Sequence, residues 1–317
     1  LAEWHNDNPR ILVHTSGSTG KPKPLMVEKR RMLNSARITC DFLGLKPGDT
    51  ALLCMPLDYI AGKMMVVRSL QRDLRLTSVR PSSHPLADDA LPSFTFAAMV
   101  PMQVYNTLKV PCERERLMRI RHLIIGGGAI SDELAQMIKP LPNAVWSTYG
   151  MTETLSHIAL RRLNGPDASL WYTPFDGVGI SLNADGCLVI DAPEVCAEPL
   201  VTNDIAQLRT DDRTGKTLFR IKGRKDNVVC SGGIKIQIEE VEETLRPHLS
   251  APFMIVKRQD EMLGEKAILL TESADLTHIE EICRNTLPKY WVPREFLHID
   301  RLPLTETGKP KRSGIEV

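Results

Sequence analysis

The sequence has little of what marks the special classes of protein. Aromatic residues make up only 5% of its 317 residues, and the charged side chains, 40 positive against 39 negative, leave a net charge of +1. No run approaches the roughly 20 apolar residues of a membrane helix, and we find no secretory signal, internal repeat or low-complexity segment. These absences exclude a fibrous or disordered protein, and we expect neither nucleic-acid binding nor membrane insertion.

Cysteine is present but shows no organisation. The seven cysteines are odd in number and include no CxxC pair, which argues against a zinc site and against a disulfide framework. Free thiols favour a reducing compartment, so we expect the protein in the cytoplasm. The eight histidines show no spacing that is typical of metal ligands.

The first half of the sequence alternates between strand and helix patterns. Short apolar runs such as 51–55 and 122–125 predict buried strands, and residues 28–43 predict a helix. Ser131 stands where it can cap the helix that follows. Strands that alternate with helices predict a mostly parallel sheet covered by helices.

Beyond residue 165 the pattern changes to short alternating segments with Gly and Pro, which indicates a β-rich part. A charged stretch at 222–226 indicates a linker, and an α+β pattern follows, with a capping box predicted at Thr277 and Glu280. At roughly 150 residues per domain, the length suggests two domains. We therefore predict an α/β protein with a large domain, 1–225, made of an α/β part to about 165 and a β-rich part at 166–225, and a small α+β domain, 226–317.

The densest group of ligand-binding residues follows the first apolar run. It combines hydroxyls, glycines and lysines: Thr15, Ser16, Gly17, Ser18, Thr19, Gly20, Lys21 and Lys23. The glycines allow a tight turn whose N–H groups can point at one anion. The segment is not a Walker A loop, because its glycines are too close together and Pro22 follows the first lysine. It indicates a phosphate-binding loop, with a polar turn as the alternative.

These residues resemble the phosphate loop of the adenylate-forming superfamily, which includes acyl- and aryl-CoA synthetases, luciferases and peptide-synthetase adenylation domains. Four further motifs follow in the family's order: Tyr149-Gly150-Met151-Thr152-Glu153, Thr202-Asn203-Asp204, Gly223-Arg224-Lys225-Asp226 with Ser231-Gly232-Gly233, and Pro303-Leu304-Thr305-Glu306-Thr307-Gly308-Lys309. Five motifs in order over nearly the whole chain make the resemblance very specific. It implies the adenylate-forming ligase fold, in which the small domain is mobile.

The resemblance also implies the co-substrates ATP and coenzyme A, the cofactor Mg²⁺, and a role for each motif. The implied roles are contact with the carboxylate and the α-phosphate for Lys309, a phosphate contact for Thr152, Mg²⁺ binding for Glu153, stacking on adenine for Tyr149, adenine and acyl contacts for Gly126, Gly127 and Gly128, ribose binding for Asp204 and Arg224, the hinge for Asp226, and an approach to coenzyme A for Gly232, Gly233 and Lys235. The glycine triplet also resembles a dinucleotide turn, but Ser131 takes the place of the third glycine of that motif.

Residues 55–68 resemble a segment of the o-succinylbenzoate-CoA ligases of menaquinone synthesis, in which an arginine lies by the acid substrate. Arg68 holds that position, and a guanidinium fork suits a second carboxylate on the substrate. A structural arginine on a helix is the alternative. His157 either lines the acyl pocket or is a packed or solvent-facing histidine. The other residues implied for this pocket are Tyr59, Ala61 and Gly127.

The sequence departs from the family at three places. Only Leu1 to His14 precede the phosphate loop, where the family has a further subdomain, so the chain is either a natural short form or lacks its front part. Tyr59 and Ala61 replace a histidine and a serine, and Asn203 replaces a glycine.

We therefore expect a ligase that joins a carboxylate to coenzyme A through an acyl-adenylate, with 2-succinylbenzoate as the favoured acid. Two alternatives stay open: the same chemistry on another aryl or fatty acid, and a non-catalytic nucleotide-binding remnant. The expected partners are small molecules, and a homodimer is left open.

Overall fold

The computed structural model describes residues 2–14, 24–128, 130–304 and 311–312. Within them the helices are α1 Ala2–His5, α2 Lys29–Leu43, α3 Ile60–Arg72, α4 Pro101–Lys109, α5 Pro111–Met118, α6 Asp132–Ile138, α7 Ile238–Leu245 and α8 Leu276–Thr286. The strands are β1 Arg10–His14, β2 Pro24–Glu28, β3 Thr50–Leu53, β4 Arg75–Ser78, β5 Phe96–Met99, β6 His122–Ile125, β7 Ala144–Gly150, β8 His157–Arg162, β9 Thr173–Pro174, β10 Gly179–Leu182, β11 Cys187–Asp191, β12 Leu200–Thr210, β13 Thr217–Arg224, β14 Val228–Ser231, β15 Ile234–Gln237, β16 Phe253–Asp260, β17 Gly264–Thr271 and β18 Glu295–His298. No helix within these residues is long and apolar enough to cross a lipid bilayer.

The chain forms two compact units. The first comprises residues 1–180, 190–200 and 209–219, and the second comprises residues 181–189, 201–208 and 220–317. Strands β10, β11, β12 and β13 lie in that order in one sheet, and the division between the units passes through this part of the chain. The predicted domain boundary at residue 225 stays a prediction.

The first unit contains a seven-stranded sheet with the order β4-β3-β5-β6-β7-β8-β9. The strands from β4 to β7 are parallel, and β8 and β9 are antiparallel to their neighbours. Every residue of β5 is buried, and so are the last three residues of β3 and of β6, as is usual for parallel strands that are covered on both faces. The predicted mixed α/β fold with a mostly parallel sheet is confirmed.

This topology fixes where a ligand site can form in the first unit. The carboxyl ends of neighbouring parallel strands meet at one edge of a sheet, and ligands of open α/β sheets bind beside that edge. At β6 the edge carries Gly126–Gly128, and at β7 it carries Tyr149 and Gly150. Two of the motifs found in the sequence are therefore neighbours in space.

The second unit contains a five-stranded sheet with the order β15-β14-β17-β16, in which β18 also pairs with β17. Successive residues of β16 and β17 point to opposite faces of the sheet, and both faces are buried. Ile255 and Leu269 pack with α7 and α8 residues in one cluster, whereas Val256 and Leu270 belong to a second cluster. The predicted α+β pattern of this region is confirmed.

Of the two predicted N-terminal helix caps, the structure confirms the one at α6 and corrects the one at α8. The Ser131 hydroxyl accepts a hydrogen bond from the N–H of Leu134 at 3.2 Å, so it caps α6 as predicted. The capping box predicted at Thr277 is wrong, because Asp275 caps α8 by accepting from the N–H of His278 at 3.0 Å. Thr277 consequently lies inside the first turn of that helix.

Candidate active site

Two antiparallel strands flank the predicted phosphate loop. β1 and β2 pair along their whole length, and His14 is opposite Pro24. His14 also forms a β-bridge with Tyr59, the N-cap of α3. The residues that flank the loop therefore lie beside the start of α3. The loop itself, Thr15–Lys23, lies outside the described residues.

The first glycine of the triplet lies tightly against the neighbouring strand. A Cβ atom on Gly126 would lie 2.5 Å from Oγ1 of Thr148 in β7, closer than side chains can approach without a shift of one of them. Gly127 has a φ of +80°, a conformation that glycine adopts at least cost. The absence of side chains here keeps the backbone accessible at the carboxyl edge of the sheet.

Tyr149 belongs to an aromatic cluster at the end of β7. Its ring centroid lies 5.0 Å from that of Phe219, at an interplanar angle of 75°, and 5.7 Å from that of Tyr172. The rings of Tyr172 and Phe219 are stacked, 5.3 Å apart. Such a cluster restricts the rotation of the Tyr149 ring, which is what a stacking surface for a planar base requires.

The chain doubles back on itself directly after Tyr149. A Cβ on Gly150 would lie 2.2 Å from the carbonyl oxygen of Ser156, so the two ends of this turn are in close contact. The buried Thr154 hydroxyl lies 2.7 Å from the same carbonyl oxygen and 3.0 Å from the N–H of Met151. Thr154 therefore fixes the turn that carries Thr152 and Glu153. No role is predicted for Thr154 from the sequence, although threonine hydroxyls often bond to nearby backbone groups, and this was the signal that could have identified it.

Glu153 is the predicted magnesium ligand. Its side chain is exposed, while its backbone carbonyl oxygen accepts a hydrogen bond from Sγ of Cys196 at 3.3 Å. Among the described residues no group of three or more His, Cys, Asp or Glu side chains could hold a metal ion. A single accessible carboxylate fits Mg²⁺, which usually keeps several waters and binds substrate phosphates together with one or two protein carboxylates.

Arg68 lies on α3 and is almost completely buried, with 2% of its surface exposed. Its Nη2 donates to Oγ of Ser156 at 2.6 Å, its Nη1 lies 3.8 Å from Sδ of Met65, and its Nε has no hydrogen-bond partner. Over the ranges that the structure describes, no carboxylate forms an ion pair with it. Burial lowers the pKa of Arg68 to about 10, and the side chain is still cationic at neutral pH.

Arg68 is thereby joined to the turn of the Tyr149–Glu153 motif in the first unit. Ser156, which accepts its hydrogen bond, is the residue whose backbone touches Gly150. Ala61 lies two helical turns before Arg68 on α3, so both share one face of the helix. Ala61 is exposed and Tyr59 is half-buried. Of the predicted acyl-pocket residues, Arg68 therefore contacts the turn after β7, whereas Tyr59 and Ala61 lie at the start of α3.

The second unit holds the predicted ribose-binding residues. Nη1 of Arg224 lies 3.4 Å from Oδ1 of Asp204, and its Nη2 donates to Oδ2 of Asp226 at 2.8 Å. The N–H of Asp204 donates to the Thr202 hydroxyl at 3.1 Å. The carbonyl oxygen of Arg224 accepts from Nε2 of the buried Gln237 at 3.1 Å. Asp204, Arg224 and the predicted hinge residue Asp226 therefore form one ion-pair network.

The glycine loop of the second unit is a two-residue hairpin turn. Ser231 pairs with Ile234 across it, and Gly232 and Gly233 have φ values of +57° and +82°. Two successive positive φ angles are the requirement of the tight turns that join antiparallel strands. Lys235 follows the turn and is exposed.

The predicted catalytic Lys309 lies outside the described residues, as does the whole of 305–310. The residues on either side of this segment are close together, because the N–H of Lys311 donates to the carbonyl oxygen of Pro303 at 2.9 Å. Arg312 is anchored to the small sheet, since its Nε donates to the carbonyl oxygen of Ile255 at 3.1 Å and its Nη2 lies 2.5 Å from Oε2 of Glu242.

Comparison with known proteins identifies relatives over nearly the whole chain. A family described as AMP-binding enzyme matches residues 1–197. The 2-succinylbenzoate–CoA ligase of Bacillus mycoides (strain KBAB4) is 25% identical over 334 residues, covering 97% of this chain and 69% of that protein. The enzyme of the same name from Bacillus cereus (strain ZK / E33L) is also 25% identical and covers 94% of this chain and 67% of that protein.

Solved structures with similar folds include an acyl-CoA synthetase (AMP-forming)/AMP-acid ligase II-like protein from Dyadobacter fermentans. It is 34% identical, covers 98% of this chain and 90% of that chain, and has a TM-score of 0.67. The O-succinylbenzoate coenzyme A synthetase of Bacillus subtilis, solved with ATP and magnesium, is 23% identical and covers 96% of this chain and 69% of that chain, with a TM-score of 0.76. The second likeness concerns the fold alone.

Proposed function

The chain belongs to the AMP-binding enzyme family and is an AMP-forming acyl-CoA ligase, and from this premise we propose that its substrate is 2-succinylbenzoate, an aromatic dicarboxylate. One carboxylate attacks the α-phosphorus of ATP, which forms the acyl-adenylate and releases pyrophosphate. The thiol of coenzyme A then attacks the acyl carbon, and AMP leaves. The product is 2-succinylbenzoyl-CoA, an intermediate of menaquinone synthesis.

The observation that carries this proposal is the charge of Arg68, which no carboxylate of the described residues compensates. A buried structural arginine would normally be paired, because an isolated ion in a protein interior costs several kcal/mol of free energy. Arg68 has a serine hydroxyl and a thioether near it, and its Nε is unpartnered. A second carboxylate on the substrate would provide the missing counter-ion. This favours a dicarboxylate over an acid with a single carboxyl group.

The proposed work of the first unit is to bind ATP and orient the acid. Tyr149 stacks on adenine, the backbone of Gly126–Gly128 lies against the adenine and the acyl group, and Thr152 holds a phosphate oxygen. Glu153 would hold Mg²⁺, which when bound supplies positive charge beside the phosphates. The phosphate loop, residues 15–21, supplies N–H and hydroxyl donors to the departing pyrophosphate.

The proposed work of the second unit divides between the two steps. Asp204 accepts hydrogen bonds from the ribose hydroxyls, and Arg224 holds its carboxylate in place. Lys309 brings positive charge to the attacking carboxylate and the α-phosphate, where two anions must meet. Rotation about Asp226 then replaces Lys309 by the loop of Gly232, Gly233 and Lys235, which approaches coenzyme A.

An assay with ATP, Mg²⁺, coenzyme A and a panel of carboxylates tests the proposal. Pyrophosphate and acyl-CoA are both followed by mass, and the panel includes benzoate and fatty acids. Selective turnover of 2-succinylbenzoate supports the proposed substrate. Turnover of other acids instead keeps the ligase chemistry and discards the dicarboxylate. Pyrophosphate without thioester indicates a different acceptor, and no product with any acid of the panel overturns the proposed substrate. The cytoplasmic location and the oligomeric state stay predictions.

A further inference from the structure

A chain of hydrogen bonds runs from α2 through the protein interior to Arg68. The hydroxyl of Thr39 donates to the carbonyl oxygen of Ser35 at 3.1 Å, and Oγ1 of Thr39 lies 3.1 Å from Nε2 of His157. Nδ1 of His157 lies 3.2 Å from Oγ of Ser156, and that hydroxyl accepts from Nη2 of Arg68 at 2.6 Å. Thr39 is fully buried, and His157 is 7% exposed.

The position of every proton in this chain follows from its two ends. A carbonyl oxygen can only accept, so the Thr39 hydroxyl donates to Ser35 and its oxygen must accept from His157. The neutral His157 ring therefore carries its proton on Nε2, and its Nδ1 accepts from the hydroxyl of Ser156. The oxygen of Ser156 is then free to accept from Arg68, which can only donate.

A neutral His157 gives every donor of this hydrogen-bond chain an acceptor. A protonated ring would donate from both nitrogens, so the Ser156 hydroxyl would lose its acceptor. Burial first, and the charge of Arg68 second, hold the pKa of His157 well below its usual value. The ring packs against Phe175, with centroids 5.5 Å apart. Among the residues that the structure describes, the charged side chain that acts on this histidine is Arg68.

We propose that Ser156, His157 and Thr39 are positioning residues that hold Arg68 in one orientation without neutralising it, and thereby make the site selective for an acid with a second carboxylate. This inference rests on the proposed function. A carboxylate in place of the relay would orient Arg68 equally well but would compete with the substrate. A relay of hydroxyl, imidazole and hydroxyl supplies an acceptor with no charge, so the attraction of Arg68 stays available for the ligand.

Thr39→Val tests this inference, because it removes one hydroxyl at nearly constant volume, and Thr39→Ser is the matched control. The readout is the ratio of kcat/KM for 2-succinylbenzoate to kcat/KM for two acids that each lack one of its carboxylates, 4-oxo-4-phenylbutanoate and 2-butanoylbenzoate. We expect Thr39→Val to lower this ratio about three- to tenfold, mainly through KM for the dicarboxylate, as the loss of one neutral hydrogen bond predicts. Thr39→Ser should restore the ratio.

A double-mutant cycle with Arg68→Ala separates the inference from the proposed function. If Thr39 acts through Arg68, Thr39→Val should not change the ratio further once Arg68 is alanine. An unchanged ratio in Thr39→Val alone, or an equal further fall in the Arg68→Ala background, would overturn the positioning role. If Arg68→Ala itself leaves the ratio unchanged, the proposed substrate fails, and the inference fails with it.

Discussion

Arg312 and Glu242 both hydrogen-bond to the backbone of Ile255 in the small sheet. Glu242 accepts the N–H of Ile255 at 2.7 Å, while Arg312 donates to the carbonyl oxygen of Ile255 and pairs with the Glu242 carboxylate. Both side chains are largely buried, with 18% of the Arg312 side chain and 10% of the Glu242 side chain exposed. The last described residues of the chain are thereby joined to α7 and β16.

Loss of this ion pair should destabilise the second unit. Arg312→Ala leaves the buried Glu242 carboxylate without its counter-ion, so we expect the free energy of unfolding to fall by about 2–3 kcal/mol. Urea unfolding of the whole protein measures the change. Arg284→Ala is the control, because its pair with Glu280 on α8 is largely exposed and should contribute less than about 0.5 kcal/mol. Equal effects of the two variants would contradict the burial argument.

Arg68→Met should separate stability from selectivity. The variant removes a buried charge that has no ionic partner among the described residues and replaces it by an apolar side chain of similar length, a change that is often neutral or stabilising by about 1–4 kcal/mol. We expect the thermal midpoint to stay or rise while kcat/KM for 2-succinylbenzoate falls by about 10- to 100-fold, as for the loss of a charged hydrogen-bond partner. A large loss of stability would instead favour the structural arginine.

His157 should make the stability of the protein depend on pH. Burial and then the charge of Arg68 lower the pKa of this histidine in the folded protein, and in the unfolded chain the value returns to about 6.5. As the pH falls below about 6.5, the unfolded chain binds a proton that the folded protein does not, so the free energy of unfolding falls. The contribution of His157 is therefore present at neutral pH and lost in acid.

Urea unfolding at about pH 7.5 and about pH 5.5 measures this dependence. His157→Gln should reduce the loss of stability between the two conditions, and His5→Gln, at an exposed position, should leave it unchanged. His122 adds a contribution of the same sign, because burial first and the charges of Arg121 and Arg162 next lower its pKa. If the free energy of unfolding of His157→Gln fell between the two pH values by as much as that of the unaltered protein, the result would contradict a neutral buried His157.

Lys309→Ala should affect the two half-reactions differently. Removal of one positive group from the transferring phosphoryl group typically costs about 100- to 1,000-fold in rate, so we expect that loss in ATP–pyrophosphate exchange. Thioester formation from supplied acyl-adenylate and coenzyme A should be largely kept. Lys311→Ala is the matched control two residues away, since the substitution keeps the backbone N–H that donates to the carbonyl oxygen of Pro303. Equal loss of both half-reactions would refute the role given to Lys309.

The elements of the sheet could be predicted from the sequence because their signals are local. Buried strands such as β5 and β6 are short apolar runs, and the Ser131 cap needs only the next three residues. The proximity of Asp204 and Arg224 could be predicted from the resemblance of their motifs to those of the family. The contact of Thr39 with His157 could not be predicted, because 118 residues separate them and neither side chain belongs to a local pattern. The sequence left His157 open between a pocket residue, a packed residue and an exposed one.

The capping box predicted at the start of α8 was wrong for a local reason. Thr277 and Glu280 have the spacing of a capping box. Asp275 is also three residues before an N–H group, that of His278, and it accepts a hydrogen bond from it. Aspartate and threonine are both good N-caps, so composition alone does not decide between two starts that are two residues apart. The helix that begins after Asp275 places Ile279 and Cys283 in the core of the second unit.

The second unit is assembled from three separate stretches of chain, 181–189, 201–208 and 220–317. Exchange of this unit between related enzymes by a single recombination point would therefore transfer only its longest stretch and leave the two short ones with the parent sequence. A chimera that moves all three stretches together keeps the residues that form this compact unit. Laboratory recombination of such ligases should accordingly use paired crossovers on both sides of each short stretch.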